Sequence, residues 1–214
     1  SPTLAATVAR AAGTSLTLKG AGGESTIEVG EALLFATGPA PVLIEFGWIA
    51  NNLAVPDDPG VKVGRRWSAQ LKAREAATPV ATDRGMFRLR NLADILARGY
   101  AVATFNYNDV DVDQLNALSH GIRAAYLKPG TTEPAPDEWG AIAAWGWGVS
   151  RVIDYLETDS SIDAHRIALT GASRLGKTTL WAAAREERIA CAIASVSGEG
   201  GAALSRRDYG ETVA

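Results

Sequence analysis

Four short apolar runs, separated by stretches of helical spacing, limit what this chain can become more than any other feature. Val42–Gly47, Tyr100–Phe105, Arg166–Thr170 and Ile189–Ser195 are each five to seven residues long. They are continuous rather than alternating, as strands covered on both faces are. Between them, Arg88 to Arg98 sets Leu89, Leu92, Ala93, Leu96 and Ala97 on one helical face, and Gly99 ends it. A longer helix opens at Asp137 and Glu138, acids where the helix dipole favours them, and runs to about Glu157. It carries Trp139, Ile142, Trp145, Trp147, Val149, Val152, Ile153 and Leu156, which predicts burial and aromatic packing against a sheet. A third helix is expected over Lys177–Glu187. Parallel strands need long crossovers, and helices supply them, so the pattern predicts an α/β three-layer sandwich around a mostly parallel, doubly wound sheet. Upstream, weak alternation at Ser15–Lys19 and Ser25–Val29 predicts two half-exposed strands. The polar stretch to about Thr82, with Pro56, Pro59, Gly60 and Gly64, reads as a functional loop, and residues 107–136 as irregular.

Length and charge narrow the partners. The chain has 214 residues, 47% of them hydrophobic, which suits a single domain over residues 1–214 with one core. A net charge of −3 gives no general attraction for nucleic acid or an anionic membrane. No run approaches the roughly 18 apolar residues of a membrane-spanning helix. No leader peptide is recognisable at the start, and since leaders are removed, the compartment stays open. The single cysteine, Cys191, sits within Ile189–Ile193 and reads as a small buried hydrophobe.

The turn Gly171-Ala172-Ser173-Arg174-Leu175-Gly176-Lys177-Thr178 lies between an expected strand and an expected helix, and two chemistries fit it. As written it satisfies G-x-x-x-x-G-K-[ST], a loop whose backbone N–H groups and lysine cradle phosphates. It also fits a nucleophile elbow, in which a serine on a sharp strand-to-helix turn presents its hydroxyl at a helix N-terminus. The phosphate loop wants a Mg²⁺-binding carboxylate on another strand end, and the strand after this helix ends Ala194-Ser195-Val196-Ser197-Gly198, without an acid. The elbow wants glycine at 175, where the chain has Leu175. The motif alone leaves both open.

A longer stretch carries a resemblance. Gly171-Ala172-Ser173-Arg174-Leu175-Gly176-Lys177 resembles the G-x-S-R-x-G-K signature of the glucuronoyl esterases, carbohydrate esterase family fifteen, in which the shifted glycine is normal. Glu138–Trp145, Asp154–Glu157 and Asp163–Ile167 resemble the run leading to the nucleophile in bacterial members, and Ser197–Arg207 the segment after it. The resemblance implies an α/β-hydrolase fold and hydrolysis of esters between alcohols, such as lignin alcohols, and (4-O-methyl-)glucuronate on xylan, with no cofactor or metal. It implies a secreted or periplasmic protein. It makes Ser173 the nucleophile, Arg174 the oxyanion-stabilising cation and Lys177 a ligand of the sugar hydroxyls. The competing readings of these residues are a helix cap for Ser173, a surface ion pair for Arg174 and a solvated lysine for Lys177. At the level of the whole protein, the competitors are a nucleotide hydrolase and a catalytically inactive carbohydrate-binding hydrolase fold.

Several expectations remain for the structure to judge. Family members often place the triad acid 23 residues after the serine, where this chain has Val196, so the acid is expected after a later strand, with Glu199 as the substitute. Asp109, Asp111 and Asp113 alternate like the start of a calcium loop but lack its glycine and distal glutamate, and read as solvated acids. Both histidines, His120 and His165, precede Ser173, whereas this fold orders serine, acid, histidine. His165 is expected at the far end of the sheet from the serine. The chain is therefore expected to be the N-terminal and central part of its fold, with an open sheet edge that a continuation or second polypeptide fills.

Overall fold

The strands assemble in the order β1-β2-β6-β3-β7-β8 in one six-stranded sheet of the computed structural model. Residues 8–20, 23–34, 39–54, 61, 65–68, 73–76, 92–114, 118–204 and 206 are described. β1 (Val8–Gly20) and β2 (Gly23–Leu34) form an antiparallel hairpin, longer than the short alternating stretches suggest, and β2 runs antiparallel to β6 (Ala101–Asn106). From β6 through β3 (Ala40–Gly47) and β7 (Ile162–Ala172) to β8 (Ile189–Ser195) all pairings are parallel. Each parallel neighbour is reached through a helical crossover. The principal ones are α2 (Leu92–Ala97) before β6, α4 (Ala141–Leu156) before β7 and α5 (Arg174–Ala183) before β8. The mostly parallel α/β sheet expected from the four apolar runs is the one observed.

The core lies between the sheet and α4 and α5. Val42, Ile44 and Phe46 of β3, Ile167 and Leu169 of β7, and Trp145, Val149, Val152, Ile153 and Leu156 of α4 are buried together. Trp145 also donates from its indole Nε1 to the carbonyl of Asp111 at 2.8 Å, so its polar edge is satisfied in the core.

Four expectations are corrected. α4 starts at Ala141 behind an N-cap at Gly140, so Asp137, Glu138 and Trp139 lie ahead of it. Glu138 closes a turn instead: its N–H donates to Ala135 O, its carboxylate accepts from the Ala135 N–H at 3.0 Å, and Lys128 pairs with it at 3.1 Å. The segment 107–136 holds the one-turn helix α3 (Tyr107–Val110) and two 3-10 segments, Leu118–His120 and Ile122–Tyr126. The polar stretch before Thr82 contains the short α1 (Asn51–Ala54) and a small hairpin of β4 (Arg65–Ser68) and β5 (Ala73–Ala76), its remainder lying outside the described residues. The helix expected from Arg88 is described only from Leu92, and Gly99 follows it with φ +82°.

The fourth correction concerns burial. β3 alternates buried and half-buried residues, and β8 is largely exposed, with Ile193 at 51% and Cys191 exposed rather than buried. Among the described residues β8 pairs with β7 alone, and α2 packs its Leu96 against Val102 of β6. Towards β7 and β8 that face holds a cavity of about 490 Å³, lined by Leu43, Ile95, Tyr100, Ile167, Cys191 and Ile193. An apolar sequence specifies a strand, but not which of its faces receives cover.

Candidate active site

Open parallel sheets bind ligands beyond the carboxyl ends of their strands. Here that end collects Trp48 after β3, Tyr107 after β6, Ser173 after β7 and Val196 after β8. Ser173 alone links β7 to α5, with φ 58° and ψ −123°. A non-glycine residue there costs about 1–3 kcal/mol and persists only where its surroundings enforce it. They do so on both sides. The Ser173 N–H donates to Ser195 O of β8 at 2.9 Å, and the Ser173 carbonyl accepts from the Lys177 N–H at 3.0 Å, the first bond of α5.

The two glycines of the motif are required by close approach. A Cβ on Gly171 would lie 2.6 Å from the Leu175 carbonyl oxygen, and one on Gly176 would lie 2.8 Å from that of Ser195. Leu175 is fully buried in the core. The glycine therefore stands at 176, where α5 crosses the end of β8, and position 175 is a core position.

This geometry does not fit a phosphate loop. The strand continues to Ala172 and the helix begins at Arg174, so a one-residue link replaces the loop a phosphate would need. Thr178 is fully buried, its hydroxyl donating to Arg174 O at 3.0 Å, so its oxygen is not exposed to a magnesium ion. The phosphate-loop reading is thus contradicted. So is the helix-cap reading of Ser173, whose side chain makes no capping bond. The first N–H groups of α5, from Arg174 to Gly176, precede its first internal bond and form a donor-rich end beside Ser173.

Arg174 points into an assembly that sequence reasoning missed. Its Nη1 lies 3.2 Å from Asp113 Oδ1 and 3.0 Å from Oδ2, and its guanidinium carbon lies 5.3 Å from the centre of the Trp48 ring. Trp48 in turn meets Tyr107 edge-on at 5.0 Å. Lys177 is not merely solvated: its Nζ donates to the Ser197 carbonyl at 2.9 Å, tying α5 to the turn after β8.

The acids after β6 are not solvated either, which corrects the reading of that run. Asp109 and Asp111 are buried, and Asp111 pairs with Arg123. They form the scaffold of the loop rather than a cation site, and no cluster of three or more metal-ligating side chains occurs among the described residues. Asp113 is the member that reaches the site. Burial first, and then the charge of Asp113, pushes the Tyr107 hydroxyl up to about 12.

Other expected residues are placed but not brought together. Val196 sits at the end of β8 with φ +41° and 78% exposure, and its side chain has no atom to orient a histidine. Glu199 is half-buried in a turn closed by the Gly201 N–H donating to Gly198 O. His165 lies within β7, eight residues before Ser173, about 25 Å away at the rise of a strand. His120 ends an exposed 3-10 turn.

Comparisons with known proteins agree with this geometry. The sequence model of the family described as glucuronyl esterase, fungi, matches residues 64–212. A carbohydrate esterase from an unknown prokaryotic organism is 48% identical over 142 residues, covering 66% of this chain and 32% of that protein. A 4-O-methyl-glucuronoyl methylesterase of Cerrena unicolor is 46% identical over 108 residues, 49% of this chain and 22% of the relative. Among solved structures, a glucuronoyl esterase from Solibacter usitatus superposes with a TM-score of 0.78 at 36% identity, covering 95% of this chain and 56% of that one. The chain thus spans a fifth to a third of these two curated relatives, and just over half of the solved chain. With a family match across most of its length and the sheet of an α/β-hydrolase, the chain belongs to the glucuronyl esterase family.

Proposed function

We propose that the protein is a serine esterase that cleaves esters between an alcohol, such as a lignin alcohol, and the carboxyl group of (4-O-methyl-)glucuronate on xylan. The observation that carries this reading is the strained Ser173 at the β7–α5 turn, with the N-terminus of α5 and Arg174 beside it. In this reading the Ser173 Oγ attacks the ester carbonyl and gives its proton to a histidine. The tetrahedral oxyanion is held by Arg174 and backbone N–H groups of α5, charge stabilisation that grows towards the transition state. The alcohol then departs with the proton, and water releases the acyl group from Ser173 by the same path.

Lys177 binds hydroxyls of the glucuronoyl ring. Its bond to Ser197 O fixes its direction and uses one of three ammonium donors. The histidine and its acid come from the rest of the fold, as a continuation or a second polypeptide. The place of His165 at the opposite end of β7 supports this, as does the 56% share of the Solibacter chain that this chain spans. A polymer of plant cell walls is met outside the cell, which supports a secreted or periplasmic location.

The test is hydrolysis of methyl 4-O-methylglucuronate by the complete protein and by Ser173→Ala. Turnover by the first, with loss of about 10⁴-fold or more in the second, is expected. Near wild-type turnover without Ser173 contradicts the reading. Binding of the sugar with no turnover by the intact protein favours an inactive carbohydrate-binding fold instead.

A further inference from the structure

We propose that Asp113 is a positioning residue for Arg174, fixing the guanidinium in place before substrate arrives; the proposal rests on the reading of Arg174 as the oxyanion-stabilising cation. An arginine on the first turn of a helix, with 52% of its side chain exposed, ordinarily samples many rotamers. Arg174 is constrained from two directions. Both oxygens of Asp113 face its Nη1, and the Trp48 ring lies against its planar group. Engaging Nη1 alone leaves the Nε–H and the two Nη2 hydrogens as donors for a developing oxyanion.

Asp113 is itself anchored. Its backbone N–H donates to Asn108 Oδ1 at 3.0 Å, and the Asn108 N–H donates to Asn106 Oδ1 at 2.8 Å, which ties the loop to the end of β6. The Tyr107 hydroxyl lies in the field of its carboxylate: burial first, and then that charge, push the phenol up to about 12, so it stays protonated wherever an esterase works. Tyr107 packs in turn against Phe46, Trp48 and Trp145. The aromatic core thus reaches through Tyr107 to the surroundings of Asp113, and Asp113 to Arg174.

The pair joins residues 61 positions apart, one in the loop after α3 and one on α5. An exposed ion pair of this kind contributes little to stability. Its consequence is geometric: it holds in advance the order that Arg174 would otherwise lose entropy to reach in the transition state. The negative charge of Asp113 works the other way, since it offsets part of the attraction of Arg174 for an oxyanion. Two substitutions separate the effects. Asp113→Asn keeps an oxygen acceptor for Nη1 and removes the charge, whereas Asp113→Ala removes both.

The experiment measures kcat and KM of the complete protein on methyl 4-O-methylglucuronate for the wild type, D113N, D113A, R174A and the D113A/R174A double variant. D113A is expected to lower kcat about 10-fold with KM within about twofold, and D113N to keep most of the wild-type kcat. D113A should add no further loss to R174A, because a positioning residue has nothing left to position. Should D113A fail to fold, Asp113→Ser takes its place in the same cycle. A wild-type kcat in D113A, a D113N as slow as D113A, or full additivity in the double variant each overturns the proposal, whereas a D113N at or above the wild-type kcat supports it. If R174A itself turns over at the wild-type rate, the reading of Arg174 falls and the proposal with it, an outcome distinct from the others.

Discussion

The two ends of β7 carry similar residues and are built differently. At the entering end, Asp163 and Arg166 pair at 2.5 Å across a spacing of three, beside His165, with Arg166 at 59% exposure. At the leaving end, Arg174 and Asp113 pair at 3.0 Å with comparable exposure, beside Ser173. The first pair is local, and it leaves Asp163 also accepting from the His165 N–H. The second joins distant segments over a tryptophan ring, at a serine whose backbone is strained. Titratable side chains on a strand end are therefore not enough to mark a site. Arg166 also reaches the distant Pro39 carbonyl at 3.5 Å, so what separates the ends is that Arg174 meets a carboxylate and an aromatic ring from other segments, beside a residue with a strained backbone.

The comparison is most sharply tested at Arg174. Arg174→Ala is expected to reduce kcat by about 10²-fold or more with little change in KM, since the contact strengthens as charge develops on the substrate oxygen. A change confined to KM would make Arg174 a substrate clamp and narrow the difference between the ends. Leu175, beneath the elbow, comes next. Leu175→Ala empties a fully buried site and should lower unfolding stability by about 2–5 kcal/mol in urea titrations. A loss well below that range would show that the elbow does not depend on the core under it.

A smaller effect is expected from acid. Arg188 donates to Glu186 through Nε and Nη2, and also meets Asp154 and Glu157. These bonds, opposed by partial burial and aided by Ser150, hold the Glu186 carboxyl down at about 2 against its ordinary 4.5. A depressed carboxylate stabilises the fold while ionised, so the contribution is complete above about pH 4.5 and is lost as pH falls through about 2. Between those values the Tm of the wild type should fall more steeply than that of Glu186→Gln. Parallel slopes would remove this cluster from the account. The smallest effect belongs to the entering end, where Asp163→Asn and Arg166→Ala should each leave kcat within about twofold of the wild type. A loss matching that of Arg174→Ala would abolish the distinction between the ends.

Much of this was legible in the sequence where the cause is local. The four strands follow from continuous apolar runs, and β8 falls on Ile189–Ser195 as read. The elbow did not follow from the motif alone, which a phosphate loop fits as well; the longer resemblance favoured it. Its misplaced glycine became intelligible once Leu175 proved to be core. The failures have a common origin in distant partners. Asp113 reads as a solvated acid because its arginine lies 61 residues away, and Cys191 reads as buried because apolar neighbours do not reveal what covers the faces of their strand. Asp137 and Glu138 imitate a helix start, yet Glu138 is committed to a turn with Ala135. Nothing in the run after β6 announced that one of its three acids would reach the site.

The central claim, that the leaving end of β7 is the reactive one through Ser173, is tested most directly by covalent labelling. The complete protein is treated with a fluorophosphonate, which modifies activated serine hydroxyls, and the modified residue is located by peptide mass spectrometry. The account expects a single adduct on Ser173, absent from Ser173→Ala and suppressed by prior addition of a glucuronate ester. An adduct on another residue, or no adduct from a protein that still hydrolyses the ester, would contradict it.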